Sequence, residues 1–387
     1  MRNVYVWLHR YVGLATALFL LLAGLTGSVL AFQHELDEWL NPHFYQAEGQ
    51  GRVMPPGQLV DKLQGEHPRL QVWYMEYPQE AGHPALLAAV ARTDPATGKP
   101  FAEKNQVFYL DPVTGIALGK RYWGECCFSA QNLVPFLLEF HYTLALPEHI
   151  GLWVMGIVAL LWVLDCFVAI ILTLPRGKPF WGKWGKAWKI KRGAHAYRLN
   201  MDIHRAGGLW LWLLLVPVAI SSVAMNLPAQ VFKPVVSLVS PITPSVYETR
   251  GRMPASSLGV TGLSYQQAYE LAQQEGKRLG LTAAIGELYY SFEYNFYGAG
   301  FGHHDTNAQG KSWLFLHGTD GSLLGQEIAG QGTLGERFYR LQLPIHGGRI
   351  IGFTGQVLIS ILGVVIAVLS GTGVYIWWRK WQARRRT

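Results

Sequence analysis

The chain has 387 residues, half of them hydrophobic and only 15% charged, with a mean hydropathy of +0.13. These values exclude a disordered tail, a fibrous repeat and a disulfide-stapled mini-protein, and they point to a membrane protein diluted by sizeable polar parts. Lys and Arg outnumber Asp and Glu by 33 to 25, 13 His are present, and three Cys are too few for a disulfide framework or an iron–sulfur cluster held by this chain alone.

Four stretches are apolar for long enough to cross a bilayer as helices. Residues 12–32 and 207–227 carry no charge, 150–174 carry only Asp165, and 350–378 carry none. Pro217 predicts a kink in the third. Arg2 and Arg10 ahead of the first resemble a signal peptide. Its apolar core is too long for one, however, and no small-x-small cleavage site follows, so it is expected to stay as an anchor. Basic residues crowd three segments: two in 1–11, nine in 175–206 against Asp202 alone, and five in 379–387. The excess of positive charge predicts that both termini and the middle loop are cytoplasmic and that 33–149 and 228–349 lie outside. Beside membrane spans, the partner expected for these basic segments is anionic membrane lipid, not nucleic acid.

The two halves resemble each other. His9-Arg10-Tyr11-Val12-Gly13-Leu14 and His204-Arg205-Ala206-Gly207-Gly208-Leu209 both read H-R-x-x-G-L where a span begins. Each span leads into an external segment with a strand followed by a glycine turn, Asp111-Pro112-Val113-Thr114-Gly115 in one and Gly318-Thr319-Asp320-Gly321 in the other. Each segment returns through a histidine-bearing stretch, Phe140-His141 or Ile345-His346. In the first external segment, 56–64 reads as a helix and 70–77, 85–91 and 106–110 as strands. In the second, 264–280 reads as a helix capped by Ser264 with Gln267 three residues on. There, 287–295 and 312–317 read as strands and 298–310 as a Gly-rich loop carrying His303 and His304. The expected architecture is an all-α four-helix transmembrane bundle with two extracytoplasmic α+β domains and an internal two-fold repeat about an axis along the membrane normal. Its parts are the N-terminus and first span (1–34), first external domain (35–148), second span (149–175), basic loop (176–203), third span (204–227), second external domain (228–345), and fourth span with its basic tail (346–387).

This layout resembles the PepSY-associated transmembrane family, through the H-R-x-x-G-L starts, Thr26-Gly27 in the first span and the D-x-x-T-G of the external domains. Phe32-Gln33-His34-Glu35-Leu36-Asp37, followed by Asn41-Pro42, is similar to the family's branch of iron-regulated siderophore reductases. The chain departs from the common pattern at Pro147-Glu148-His149, and Ser221-Ser222 stands where the first span has Thr-Gly. The resemblance implies PepSY-like external domains in the periplasm, a place in the bacterial inner membrane, and reduction of ferric siderophore.

Haem iron held by two imidazoles needs one His from each of two facing helices at matching depth. His9 and His204 occupy equivalent positions in the two halves and are the expected ligands of one haem b. Arg10 and Arg205 follow them and suit haem propionates. A single histidine there would read as facing lipid headgroups; the repetition argues for ligation. For a second haem b three histidines compete. His141 and His346 match by symmetry, whereas helical rise puts His34 about 37 Å from His9, at the other membrane face. His149, eight residues past His141, is a weaker candidate, and His303 and His304 read as solvated surface. His43, His67, His83 and His317 show no partner pattern, and His195 reads as interfacial. Asp165 is the one acid inside a span, fitting either a haem-environment role or a plain interhelical hydrogen bond. Cys126-Cys127 is a vicinal pair, structural or redox-active, and Cys166 reads as packing.

No G-x-G-x-x-G, Walker or H-E-x-x-H pattern occurs in the cytoplasmic parts, so electrons are expected from a quinol or a separate reductase. The leading reading is a bis-haem b oxidoreductase that passes electrons across the membrane to ferric siderophore. A rival is a haem-free PepSY-type sensor or peptidase-regulating membrane protein, and a third is a permease for the intact chelate.

Overall fold

The computed structural model describes residues 1–253, 262–302 and 310–385, and the chain divides into two compact units. One gathers Met1–Gln33, Leu137–Ser240 and the chain from Phe338 on; the other gathers His34–Phe136 and Pro241–Arg337.

In the first unit three helices are long and apolar enough to cross a membrane: Arg2–Leu30, Glu148–Thr173, and Gly352–Arg385 together with the short turn before it. The expected third span is broken. Helices Ala196–Trp210 and Trp212–Asn226 meet at Leu211 with a 72° bend. The kink expected at Pro217 is therefore displaced to Leu211, and the proline sits inside the second piece. Pro217 has no N–H for the carbonyl four residues back, and Gly207-Gly208 are poor helix formers. The chain turns between these two weak points.

Much of the apolar surface of these helices faces outward, as at Leu18, Leu164, Leu213 and Ile361. Such a surface drives association in water but is neutral in hydrocarbon. Where helices touch, small residues let them approach. A Cβ on Gly24 would stand 2.5 Å from the carbonyl oxygen of Gly363, and one on Gly363 would stand 2.5 Å from that of Gly24. One turn along, the Ser28 and Ser360 hydroxyls meet at 3.2 Å.

The second unit is built on one antiparallel sheet of eight strands: β1 (Leu70–Glu76), β2 (Ala85–Ala91), β3 (Gln106–Leu110), β4 (Ala117–Tyr122), β5 (Ile285–Ser291), β6 (Phe296–Phe301), β7 (Ser312–His317) and β8 (Leu323–Glu327). The order is β4-β3-β2-β1-β5-β6-β7-β8, two four-stranded meanders joined where Tyr74, Met75 and Glu76 pair with Tyr289, Leu288 and Glu287. The two external segments, expected as separate domains, thus share one sheet. Each meander has an open edge at its first strand, and pairing the two edges satisfies both rows of backbone groups.

Helices Pro56–Glu66 and Tyr265–Arg278 cover one face over a core that includes Leu59, Met75, Leu87, Ala268, Leu288 and Leu314. The expected cap is present: Ser264 and Gln267 bond each other's backbone. The stretch 287–295 is not one strand; Asn295, at φ 49°, turns it into the β5–β6 hairpin. Part of the expected Gly-rich loop is the buried strand β6. Gly298 lies under the Tyr289 ring and Gly300 under that of Trp313, where a Cβ would come within 2.3 and 3.0 Å. Glycines hidden beneath aromatic rings leave no alternating pattern to read.

Ahead of β4 the D-x-x-T-G turn is held by Asp111, whose carboxylate accepts the N–H groups of Val113 (2.9 Å), Thr114 (2.9 Å) and Gly49 (2.7 Å). Burial pushes this carboxyl up, but the donors of Thr114, Gly49 and Val113 outweigh it and hold the group below its ordinary range.

Candidate functional site

Four of the histidines singled out by the sequence stand in two pairs within the first unit. His9, in the second turn of Arg2–Leu30, faces His204 of Ala196–Trp210 with ring centres 6.0 Å apart and ring planes at 52°. His141, near the end of helix Ala130–Thr143, faces His346, the last residue of helix Gln342–His346, at 6.1 Å and 63°.

In all four the Nδ1 nitrogen is already engaged. His9 Nδ1 lies 2.9 and 3.0 Å from the two oxygens of Asp165. His204 Nδ1 lies 3.0 Å from both the Leu369 carbonyl and Thr372 Oγ1. His141 Nδ1 meets Thr26 Oγ1 at 2.9 Å and His346 Nδ1 meets Ser221 Oγ at 3.0 Å. The tautomers follow from the partners. A carboxylate and a carbonyl only accept. The Thr26 and Ser221 hydroxyls spend their single protons on the carbonyls of Leu22 and Val218. Each Nδ1–H is therefore the donor, and each Nε2 keeps its lone pair. This is how metal-binding histidines are oriented: the second nitrogen donates to a fixed oxygen, which locks the ring and raises its basicity.

The separation suits a shared metal. An imidazole nitrogen binds a first-row metal at about 2 Å, and the ring centre stands about 1 Å behind it, so rings on opposite sides of one ion are about 6 Å apart. Among the described residues no group of three or more His, Cys, Asp or Glu could hold a metal ion, so each pair supplies two ligands and needs the remainder from elsewhere. Thr26 follows His9 by 17 residues in the same helix, as Ser221 follows His204 in the sequence. At 1.5 Å per residue the two pairs lie about 25 Å apart along Arg2–Leu30.

Between His9 and His204 opens a cavity of about 390 Å³, whose walls include Leu14, Trp162, Met201, Trp212 and Ile366. Gly13 and Gly208, each one helical turn past its histidine, line it too, and a Cβ on either would meet nothing within 4 Å. The spacing repeated within the chain, H-R-x-x-G, thus leaves a bare backbone beside each ring on the same helix face. At the other pair Gly27 makes room: a Cβ there would stand 2.9 Å from His141 Cε1.

A family model described as the PepSY-associated TM region matches residues 6–380. The chain belongs to the PepSY-associated transmembrane family. With its apolar helices, this makes it a membrane protein. No curated protein matches the chain.

The other candidates in this PepSY-family chain are placed elsewhere. His34 is exposed, belongs to the second unit and sets its ring edge against Tyr45 at 5.7 Å. His149 is exposed at the start of Glu148–Thr173, and His303 and His304 lie outside the described residues. His195 caps Ala196–Trp210 by accepting from the Arg198 N–H. Arg10 and Arg205 both line the cavity, but the Arg205 guanidinium is engaged by Asp202 Oδ1 (2.7 Å) and the carbonyls of Lys186 and Ala187. Cys126 and Cys127 lie side by side in the second unit.

Two features escaped the sequence. Asp165 spans 156 residues to reach His9, although its isolation among apolar residues marked it. In the motif beginning at Phe32, Asp37 turns out to pair with buried Arg121 through both oxygens (3.1 and 2.8 Å), helped by Asn41. No local signal announces that contact.

Proposed function

We propose that the chain is an inner-membrane oxidoreductase that holds two haem b groups and delivers electrons to ferric siderophore on the periplasmic side. The single observation that carries the reading is the pair of histidine couples, each with rings about 6 Å apart, each Nδ1–H committed and each Nε2 keeping its lone pair. Two imidazoles that belong to no group of three or more metal-binding side chains among the described residues make a poor site for a bare ion. They would suit the iron of a flat macrocycle that brings its own remaining donors. The apolar cavity with its bare glycines has room for such a group at His9 and His204, and Arg10, with Arg205 beside Asp202, offers cations for its acidic edge. When bound, haem supplies a one-electron carrier at each of two depths.

The chain's own residues do the rest. His9 with His204, and His141 with His346, would each hold one haem iron through their Nε2 atoms. Asp165, Thr372, Thr26 and Ser221 hold the rings. The apolar walls exclude water and so keep the environment fit for electron transfer rather than ligand exchange. In this reading the helices form a four-span bundle related by an internal two-fold repeat, both termini are cytoplasmic, and the sheet unit is periplasmic. The electron donor is a quinol or a separate reductase. One quinol gives up two electrons and two protons, and two ferric ions become ferrous. The hard oxygen donors of a siderophore grip Fe(III) and hold Fe(II) far more weakly, so reduction releases the metal.

The test is the spectrum of the purified protein. A Soret band with split α and β bands on dithionite reduction, and two haems per chain by pyridine haemochrome, are expected. A colourless, folded preparation would exclude the reading and favour a haem-free PepSY-type sensor or regulator.

A further inference from the structure

Resting on the haem reading above, we propose that Asp165 is a positioning residue that makes the His9–His204 centre the more reducing of the two, and so biases electrons toward His141 and His346. The four ring-holding contacts are not equivalent. His204 donates to a carbonyl and a threonine hydroxyl, His141 to a threonine hydroxyl, and His346 to a serine hydroxyl. His9 alone donates to a carboxylate, with both Asp165 oxygens within 3.0 Å. The carboxylate is poorly solvated, its side chain 14% exposed.

A hydrogen bond to an ionised acceptor is roughly twice as strong as a neutral one, and more so out of water. It shifts electron density onto the imidazole and raises the basicity of the coordinating nitrogen. A more electron-rich imidazole would stabilise a ferric over a ferrous iron held there, which would lower the potential of that iron alone. Arg2, Arg10 and Lys380 line the same cavity and act in the opposite sense, but they are unchanged when only Asp165 is altered. The bland alternative is a tether between helices Arg2–Leu30 and Glu148–Thr173. The two roles separate in Asp165→Asn, which keeps an oxygen acceptor and removes the charge.

The experiment is spectroelectrochemical titration of purified wild type, Asp165→Asn and Asp165→Glu, with haem counted by pyridine haemochrome. The His141→Ala background, which retains only the His9–His204 centre, assigns the steps. In Asp165→Asn the lower-potential step should rise by at least a tenfold change in the reduced-to-oxidised ratio, about 59 mV for one electron, while the other step stays in place. Asp165→Glu should return it toward wild type. Two unchanged steps, or a rise confined to the other centre, would overturn the proposal. Should Asp165→Asn lose that haem, the Glu variant decides: retention at low potential supports the role, and loss there too leaves only a tether and overturns it. A wild type without haem would instead sink the reading on which the proposal rests.

Discussion

Filling the space beside His204 tests the cavity without touching a ligand. At Gly208 a Cβ would meet nothing within 4 Å, so Gly208→Leu enters open space and the helix need not move. Leucine adds four carbons, each occupying on the order of 30 Å³ by comparison with a water's share of liquid volume, or about 120 Å³ in all. That is roughly a third of the 390 Å³ cavity. Replacing glycine within a helix also adds about 0.5–1 kcal/mol of helical preference. The unfolding midpoint followed by tryptophan fluorescence should therefore hold or rise while haem per chain falls from two to one. Gly13→Leu should behave alike. Gly207→Ala is the control, because its Cβ would sit in ordinary contact, 3.6 Å from Leu369 Cδ2, and both haems should stay. A Gly208→Leu protein with two haems and an unaltered spectrum would refute the idea that a flat group lies against this face.

Other outcomes follow from the same geometry. His141→Ala and His346→Ala should each lose one haem while His34→Ala keeps both by pyridine haemochrome; haem loss in His34→Ala would restore the case for depth over symmetry. Asp37→Ala leaves the buried Arg121 guanidinium unpaired and should destabilise the sheet unit by about 3–5 kcal/mol in chemical unfolding, with haem content unchanged. Because the Asp111 carboxyl is held below its ordinary range, its contribution to stability is complete above the unfolded carboxylate pKa. It is lost as pH falls through the lower, folded value. Asp111→Asn should therefore flatten the acid limb of the stability curve, and an unchanged limb would contradict the assignment. Impermeant thiol labelling should reach Asp320→Cys, on an exposed turn of the sheet unit, from outside and Lys183→Cys only from the cytoplasm; the reverse pattern would invert the topology.

The sequence alone determined what depends on one stretch of chain at a time. Apolar length marked the spans, Ser264 with Gln267 marked a helix start, and short apolar runs marked β2, β3 and β7 within the bounds observed. Repetition of H-R-x-x-G-L singled out His9 and His204, and the same motif carries the glycine one turn beyond each. Strands β4 and β8 stayed hidden because they are short, mostly unburied edge strands of mixed composition, and β6 because its glycines are covered by rings. Which histidine meets His346 was undecidable from helical rise, since rise fixes depth along one helix and says nothing of which face a neighbour presents. Tertiary packing settled that contact: it sets Thr26 beside His141 across 115 residues and Ser221 beside His346 across 125. It also joined the two meanders edge to edge, moved the bend from Pro217 to Leu211, and carried Asp165 to His9. A side chain's own segment fixes its depth, but its partner depends on the angle at which another segment crosses, and that angle is a property of the whole packed bundle.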